Sequence, residues 1–405
     1  MMAPRLELRL RALASLVSPR AASSRRIDYP LVRESVGRAG KSGEETLEAV
    51  ERSISALLAG SAIGRAKGTD YRVVIPANLR LDDRITSPVT IEASGIRFSL
   101  HPATELADAL GRDVSKLDVS SNDPKDHHVL FATMHSTHSH FFQSIVCAGD
   151  PMSAALFALG AYSVWRSALN FCADIGKFGI NFGQVERASL GAPRWAAFGG
   201  CGHGEKLFAR RLSGLRSEHT RCCDLYPALL ARTETLIAES TVDQNDDSVP
   251  ALLARAISLY GLAMDYAEEH VALLLLWQLA EVLTCIDRRA NSLEQVPARL
   301  ARLCSLADGE ILRERELALK GIMELRHGIV HRGEVRAAAD SDVSFLSRCC
   351  VDALLWLRNN KDSFAKWKDV DAYLRHAIMP SSQLHTIQDA VKRVCEFRSE
   401  QKASR

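Results

Sequence analysis

The sequence predicts a multidomain chain: a C-terminal all-α helical bundle preceded by a mixed α/β or α+β N-terminal region. Three observations carry this expectation. After residue 250, apolar residues recur at helical spacing almost without a break. Before it, short β-branched runs interrupted by Pro, Asn and Asp alternate with helical stretches. Between the two lies a polar segment, TVDQNDDSVP, residues 241–250, which reads as the linker.

Residues 1–26 carry several arginines and read as a flexible basic N-terminus; Glu7 is out of place in an organellar transit peptide. In residues 27–240, EETLEAVERSISALLAG has helical spacing and a closing glycine. The run from Tyr71 to Leu100 reads as strands and turns, and VLFATM, residues 129–134, as a further strand. Residues 27–240 read as one region or as two subdomains with a break near 101–125. MSAALFALGAYSVWRSALNFCADIG reads as a helix, GAPRWAAFGGCGHGE as a glycine-rich loop, and EKLFARRLSGL and CDLYPALLARTETLIAEST as helices. Residues 251–400 read as helices throughout, with Asp340 or Ser341 as the expected N-cap of the helix around DVSFLSRCCVDALLWLRNN. The run VALLLLWQLAEVL, Val271 to Leu283, is apolar on every side except at Glu281 and Gln278, which predicts a central, fully buried helix.

Composition excludes some function classes. The 405 residues are 47% hydrophobic and 25% charged, as in ordinary soluble proteins. A net charge of +2 gives no global electrostatic case for nucleic acid, so any such site is a local patch. The longest apolar run is too short to cross a bilayer, so no membrane partner is expected. The ten cysteines, with no secretory signal ahead of them, read as reduced cytoplasmic thiols. Neither a P-loop nor a G-x-S-x-G elbow occurs.

The chemistry-bearing stretch is ELRHGIVHRGEV, Glu324 to Val335. Arg326 and His331 form the one R-x4-H pair in the chain. In a straight helix they would project about 140° apart. Gly333 reads as a C′ glycine, so a helix end is expected here that lets the two side chains converge. Glu281, alone among the leucines upstream, needs a positive partner, and Arg326 is the natural one.

LLLLWQLAEVL followed by MELRHGIVHRG resembles the HEPN superfamily, in its ApeA-like branch, over residues 250–378. The resemblance implies a helical bundle that pairs as a homodimer, with two Arg–His motifs facing each other in one composite site. It implies a metal-independent endoribonuclease, with no cofactor, acting in toxin or antiphage (abortive infection) defence. His331 would be the general base, Arg326 the phosphate clamp, His327 the polar residue after the arginine, and Glu281 the group that orients Arg326. Residues 27–240 would then sense a phage or host trigger, since a constitutively active ribonuclease kills its host. The alternative that the resemblance leaves open is a catalytically inactive nucleotide- or RNA-binding or assembly module.

Three other constellations point less far. His135, His138 and His140, with His127 and His128 nearby, could bind zinc but lack an accompanying acid and read as a polar turn. Cys201, His203, His219 and Cys222 are a conceivable structural zinc set, though the first pair is closer than usual; buried thiols beside a glycine loop are the plainer reading. GSAIGRAKGTDYRV has Arg72 where a metal-binding second aspartate would stand, and reads as a helix–loop–strand junction.

Overall fold

The computed structural model describes residues 69–106, 118–119, 139–175, 190–193, 195–201, 207–211, 222–241, 247–266, 268–284, 293–304, 310–332, 339–379 and 381–403. The helix expected at 44–60 and the strand expected at 129–134 lie outside these residues. The chain divides into two compact units. One comprises Met1–Tyr162, Pro193–Gly214 and Cys222–Tyr226; the other comprises Ser163–Ala192, Leu215–Arg221 and Pro227–Arg405.

The first unit is built on β1 (Thr69–Ala77), β2 (Leu79–Leu81), β3 (Thr90–Ala93), β4 (Ile96–Pro102), β5 (Asp118–Val119), β6 (His140–Ala148), β7 (Trp195–Gly200), β8 (Leu207–Arg211) and β9 (Cys223–Leu225). Seven strands form one sheet in the order β3-β4-β6-β1-β7-β8-β5, and β2 pairs with β9. All neighbours in the large sheet run antiparallel except β5 and β8. β1 reads as a central strand should: Val73 to Ala77 are all buried. β4 and β6 alternate instead. Phe98 packs on Tyr162 at 6.4 Å between ring centroids and Phe142 at 5.4 Å. Tyr162 lies in α1 (Pro151–Ile175), whose first half belongs to this unit.

Two expectations fail here. Trp195–Gly200 is a strand and not a glycine loop, and Leu207–Arg211 is a strand and not a helix. Their partners are remote in sequence: Phe198 sits opposite Val73 on one side and Phe208 on the other. Sheet pairing outweighs local preference in both segments. Likewise Cys223–Leu225 is a strand, and the helix begins only at Pro227, where a missing N–H costs nothing.

The second unit is helical. It holds the rest of α1 with α2 (Pro227–Thr241), α3 (Val249–Met264), α4 (Glu269–Leu283), α5 (Val296–Cys304), α6 (Glu310–Arg332), α7 (Asp340–Asn359), α8 (Trp367–Ala377) and α9 (Ser381–Ala403). Ser248 caps α3, accepting the Ala251 N–H at 3.2 Å. α7 is capped differently from the expectation. Ala339 is its N-cap, and the Asp342 carboxylate reaches back to the Ala339 N–H at 3.2 Å. α4 is central but not wholly buried: Leu273, Leu276, Trp277, Leu279 and Ala280 are inside, while Gln278 is exposed and Leu274 and Leu275 are half-buried.

The segment 241–250 is therefore not where the units divide, because buried polar bonds join α1 to α3 across it. Arg166 and Asp265 form a bidentate ion pair with both side chains 3% exposed. Arg166 Nη1 also donates to the Leu190 carbonyl at 3.2 Å. Asn170 both donates to and accepts from the Leu190 backbone. The Tyr260 hydroxyl donates to Asp174 at 2.7 Å. A buried charge pair holds only where hydrogen bonds of this kind accompany it. The helices also touch: a Cβ on Gly261 would meet Ser167 Oγ at 2.1 Å and its Cα at 2.9 Å.

Gly261→Ala is expected to cost about 1–3 kcal/mol, because backbone must move to admit the methyl. Thermal denaturation of the variant against the parent protein measures it. A second expectation concerns acid. Glu239 is pushed up by burial, but Arg358 and Lys361, at 2.7 and 2.9 Å, pull it below the ordinary glutamate value. Its contribution is then complete above the unfolded-state pKa and is lost as pH falls through the lower folded-state value. Glu239→Gln is expected to be about 1 kcal/mol less stable at pH 7 and to converge with the parent in acid, as read by denaturant titrations across pH.

Candidate functional site

The site is assembled in the helical unit from α4 and α6. On α6 the buried residues Leu319 and Ile322 mark the inner face, and Arg326 follows Ile322 by one turn. Periodicity thus turns Arg326 toward α4. There Glu281 follows the buried Trp277 by one turn, at the edge of the apolar face. Arg326 Nη2 lies 3.7 Å from Glu281 Oε1, with the side chains 25% and 12% exposed. That separation is a contact of opposite charges and not a hydrogen bond. Arg326 is therefore a charged neighbour of Glu281.

The histidines face the other way. His327 and His331 are exposed, four residues apart on one helix face, with ring centroids 4.6 Å apart and planes tilted by 44°. Their separation is the i, i+4 geometry of a continuing helix. The expected convergence of Arg326 with His331 at a helix end does not occur. α6 stays helical through Arg332, so the two side chains leave the axis about 140° apart. Gly333 lies outside the described residues. The chain therefore presents a guanidinium beside Glu281 on one flank of α6 and an imidazole pair on another.

Chemically, the guanidinium keeps an exposed edge for an anion while Glu281 holds its position. The two imidazoles can act as a proton donor and acceptor. Val330, 47% exposed, leaves an apolar contact beside them.

The other candidates are placed only in part. His140 opens β6 with Nδ1 2.9 Å from Ser139 Oγ, and burial holds its imidazole below the usual value. His127, His128, His135, His138, His203 and His219 lie outside the described residues. Cys201 follows β7, donating its N–H to the Asp70 carbonyl at 3.3 Å, and Cys222 is exposed beside β9. Among the described residues, no three His, Cys, Asp or Glu side chains are grouped to hold a metal ion. Again among the described residues, no helix is long and apolar enough to cross a membrane.

Sequence reasoning missed Ser99, His101 and Glu105, which are hydrogen-bonded in series in the sheet unit. The alternation in RFSLHP carries the signal, since it puts Ser99 and His101 on one face.

Compared with protein-family models, with curated proteins and with solved structures, the chain matches none.

Proposed function

We infer that the helical unit is a HEPN-type domain and that the protein is a cytoplasmic, metal-independent endoribonuclease of toxin or antiphage defence. The observation that supports this reading is the Glu281–Arg326 contact, with His327 and His331 exposed on the same final turns of α6. A carboxylate at the edge of an apolar helix face is costly unless it holds a positive partner. That it holds the arginine next to two surface histidines ties the motif's parts into one local unit.

Because Arg326 and His331 diverge within a protomer, the reading requires a second copy to complete the site. In a homodimer with the C-terminal ends of the two α6 helices apposed, Arg326 of each copy faces the imidazoles of the other. His331 takes the proton from a ribose 2′-OH, whose oxygen attacks the adjacent phosphorus. Arg326 neutralises the extra charge on the phosphoryl oxygens. His327 gives a proton to the departing 5′-oxygen. The bond to that oxygen breaks, leaving a 2′,3′-cyclic phosphate and a 5′-hydroxyl. No step calls for a metal or cofactor. The sheet unit is then the sensor for a phage or host trigger.

The same divergence favours a second reading, in which the domain binds RNA or nucleotide, or assembles, without cleaving. The two readings part in one experiment. Labelled RNA is incubated in EDTA with the full-length protein and with His331→Ala. Cleavage to cyclic-phosphate ends is expected for the parent, reduced about a hundredfold or more in the variant. Binding by both proteins with cleavage by neither supports the second reading. Cleavage that His331→Ala leaves intact contradicts the mechanism.

A further inference from the structure

In the sheet unit, Ser99 Oγ lies 2.8 Å from His101 Nε2, and His101 Nδ1 lies 2.9 Å from Glu105 Oε2. The order of partners has a chemical consequence. An ionised carboxylate only accepts, so Nδ1 carries the proton that bonds Glu105. In the neutral ring Nε2 is then bare and accepts the Ser99 hydroxyl. When the ring gains a proton, Nε2 donates to Ser99 Oγ instead. The Ser99 hydroxyl then has a second acceptor ready, the Gln143 carbonyl at 3.3 Å. Both protonation states are satisfied without a rotamer change. Nucleophile, base and orienting acid thus stand in the series that activates a serine.

The frame around them is fixed. Ser99 pairs with Gln143 and His101 with Phe141 across β4 and β6. The His101 ring stacks on Phe141 at 5.2 Å and 15°, and Phe141 is buried. Glu105 ends the 3-10 turn Ala103–Glu105 that follows β4, and the Ala103 N–H is held by the Ser139 carbonyl at 2.9 Å. The His101 side chain remains 31% exposed, so the base is reachable from solvent.

We propose that Ser99 is a nucleophile activated by His101, with Glu105 as the positioning residue, and that it accepts an acyl group from an activated ester or thioester. The substrate class follows from the strand. β4 is interior, paired with β3 on one side and β6 on the other, so its own N–H groups serve the ladders. Without strand N–H groups to bind an oxyanion, an amide is too poor a substrate. A good leaving group lowers that demand. Ser99 Oγ bonds to the acyl carbon while its proton passes to His101 Nε2. The bond from that carbon to the leaving oxygen or sulfur breaks, and the proton is delivered to the leaving atom. Water reverses the sequence and frees the acid.

The test uses the full-length protein with p-nitrophenyl acetate, reading nitrophenolate release and the acetylated peptide by mass spectrometry. One acetyl group is expected on Ser99, absent in Ser99→Ala. His101→Ala should slow release about a hundredfold. Glu105→Gln should lower kcat with KM unchanged, and Glu105→Asp should recover part of it. Ser99→Cys guards against a folding defect, since a thiol at that position should also be acylated. Release by a folded Ser99→Ala equal to that of the parent overturns the proposal. So does acetylation confined to lysines, or a folded parent protein that takes no acyl group.

Discussion

A carboxylate at the edge of an apolar helix face is the constraint on which the candidate ribonuclease site depends. Glu281 follows Trp277 on a helix whose buried face is leucine, alanine and tryptophan. Removing a charge from water costs several kcal/mol, and only a close counter-charge offsets it. Arg326 supplies that charge, at 3.7 Å. The pairing agrees with the rotation of α6 that its buried Leu319 and Ile322 set. Once Leu319 and Ile322 are inside and Arg326 meets Glu281, His327 and His331 must lie outside. The same rule operates deeper in the unit, where Arg166 and Asp265 are both nearly inaccessible and bidentate. There the pair ties α1 to α3 and makes the helical unit larger than a bundle that begins at residue 251.

That difference has a practical side. α2 and the second half of α1 pack within the helical unit, so a chain cut at 245 would strip Arg166 from Asp265 and Asp174 from Tyr260. Asp265 would lose its counter-charge, at a cost of about 1–3 kcal/mol or more, and Tyr260 would lose one hydrogen-bond partner. Activity is therefore sought in the whole protein.

Much of the helical unit was legible in the sequence, because amphipathic spacing is a local property. The Glu281–Arg326 contact could also be anticipated, since burial forces an acid to find a base. What could not be read were features set by distant partners. Trp195–Gly200 and Leu207–Arg211 become strands because β1 and each other's backbones await them. The cap of α7 is Ala339, whose own N–H is held from inside the helix by the Asp342 carboxylate. Arg326 and His331 diverge because nothing in α6 breaks its winding before Arg332. Ser99 and His101 were legible as a shared strand face, but Glu105 joins them only through the turn that follows.

The claim most open to test is that Glu281 acts through Arg326. A double-mutant cycle on RNA cleavage in EDTA measures it, with Glu281→Gln, Arg326→Ala and both together. The account predicts strong non-additivity: the double variant cleaves no more slowly than Arg326→Ala alone. Losses that multiply, each acting fully in the absence of the other, would contradict the account and separate the carboxylate from the arginine it contacts.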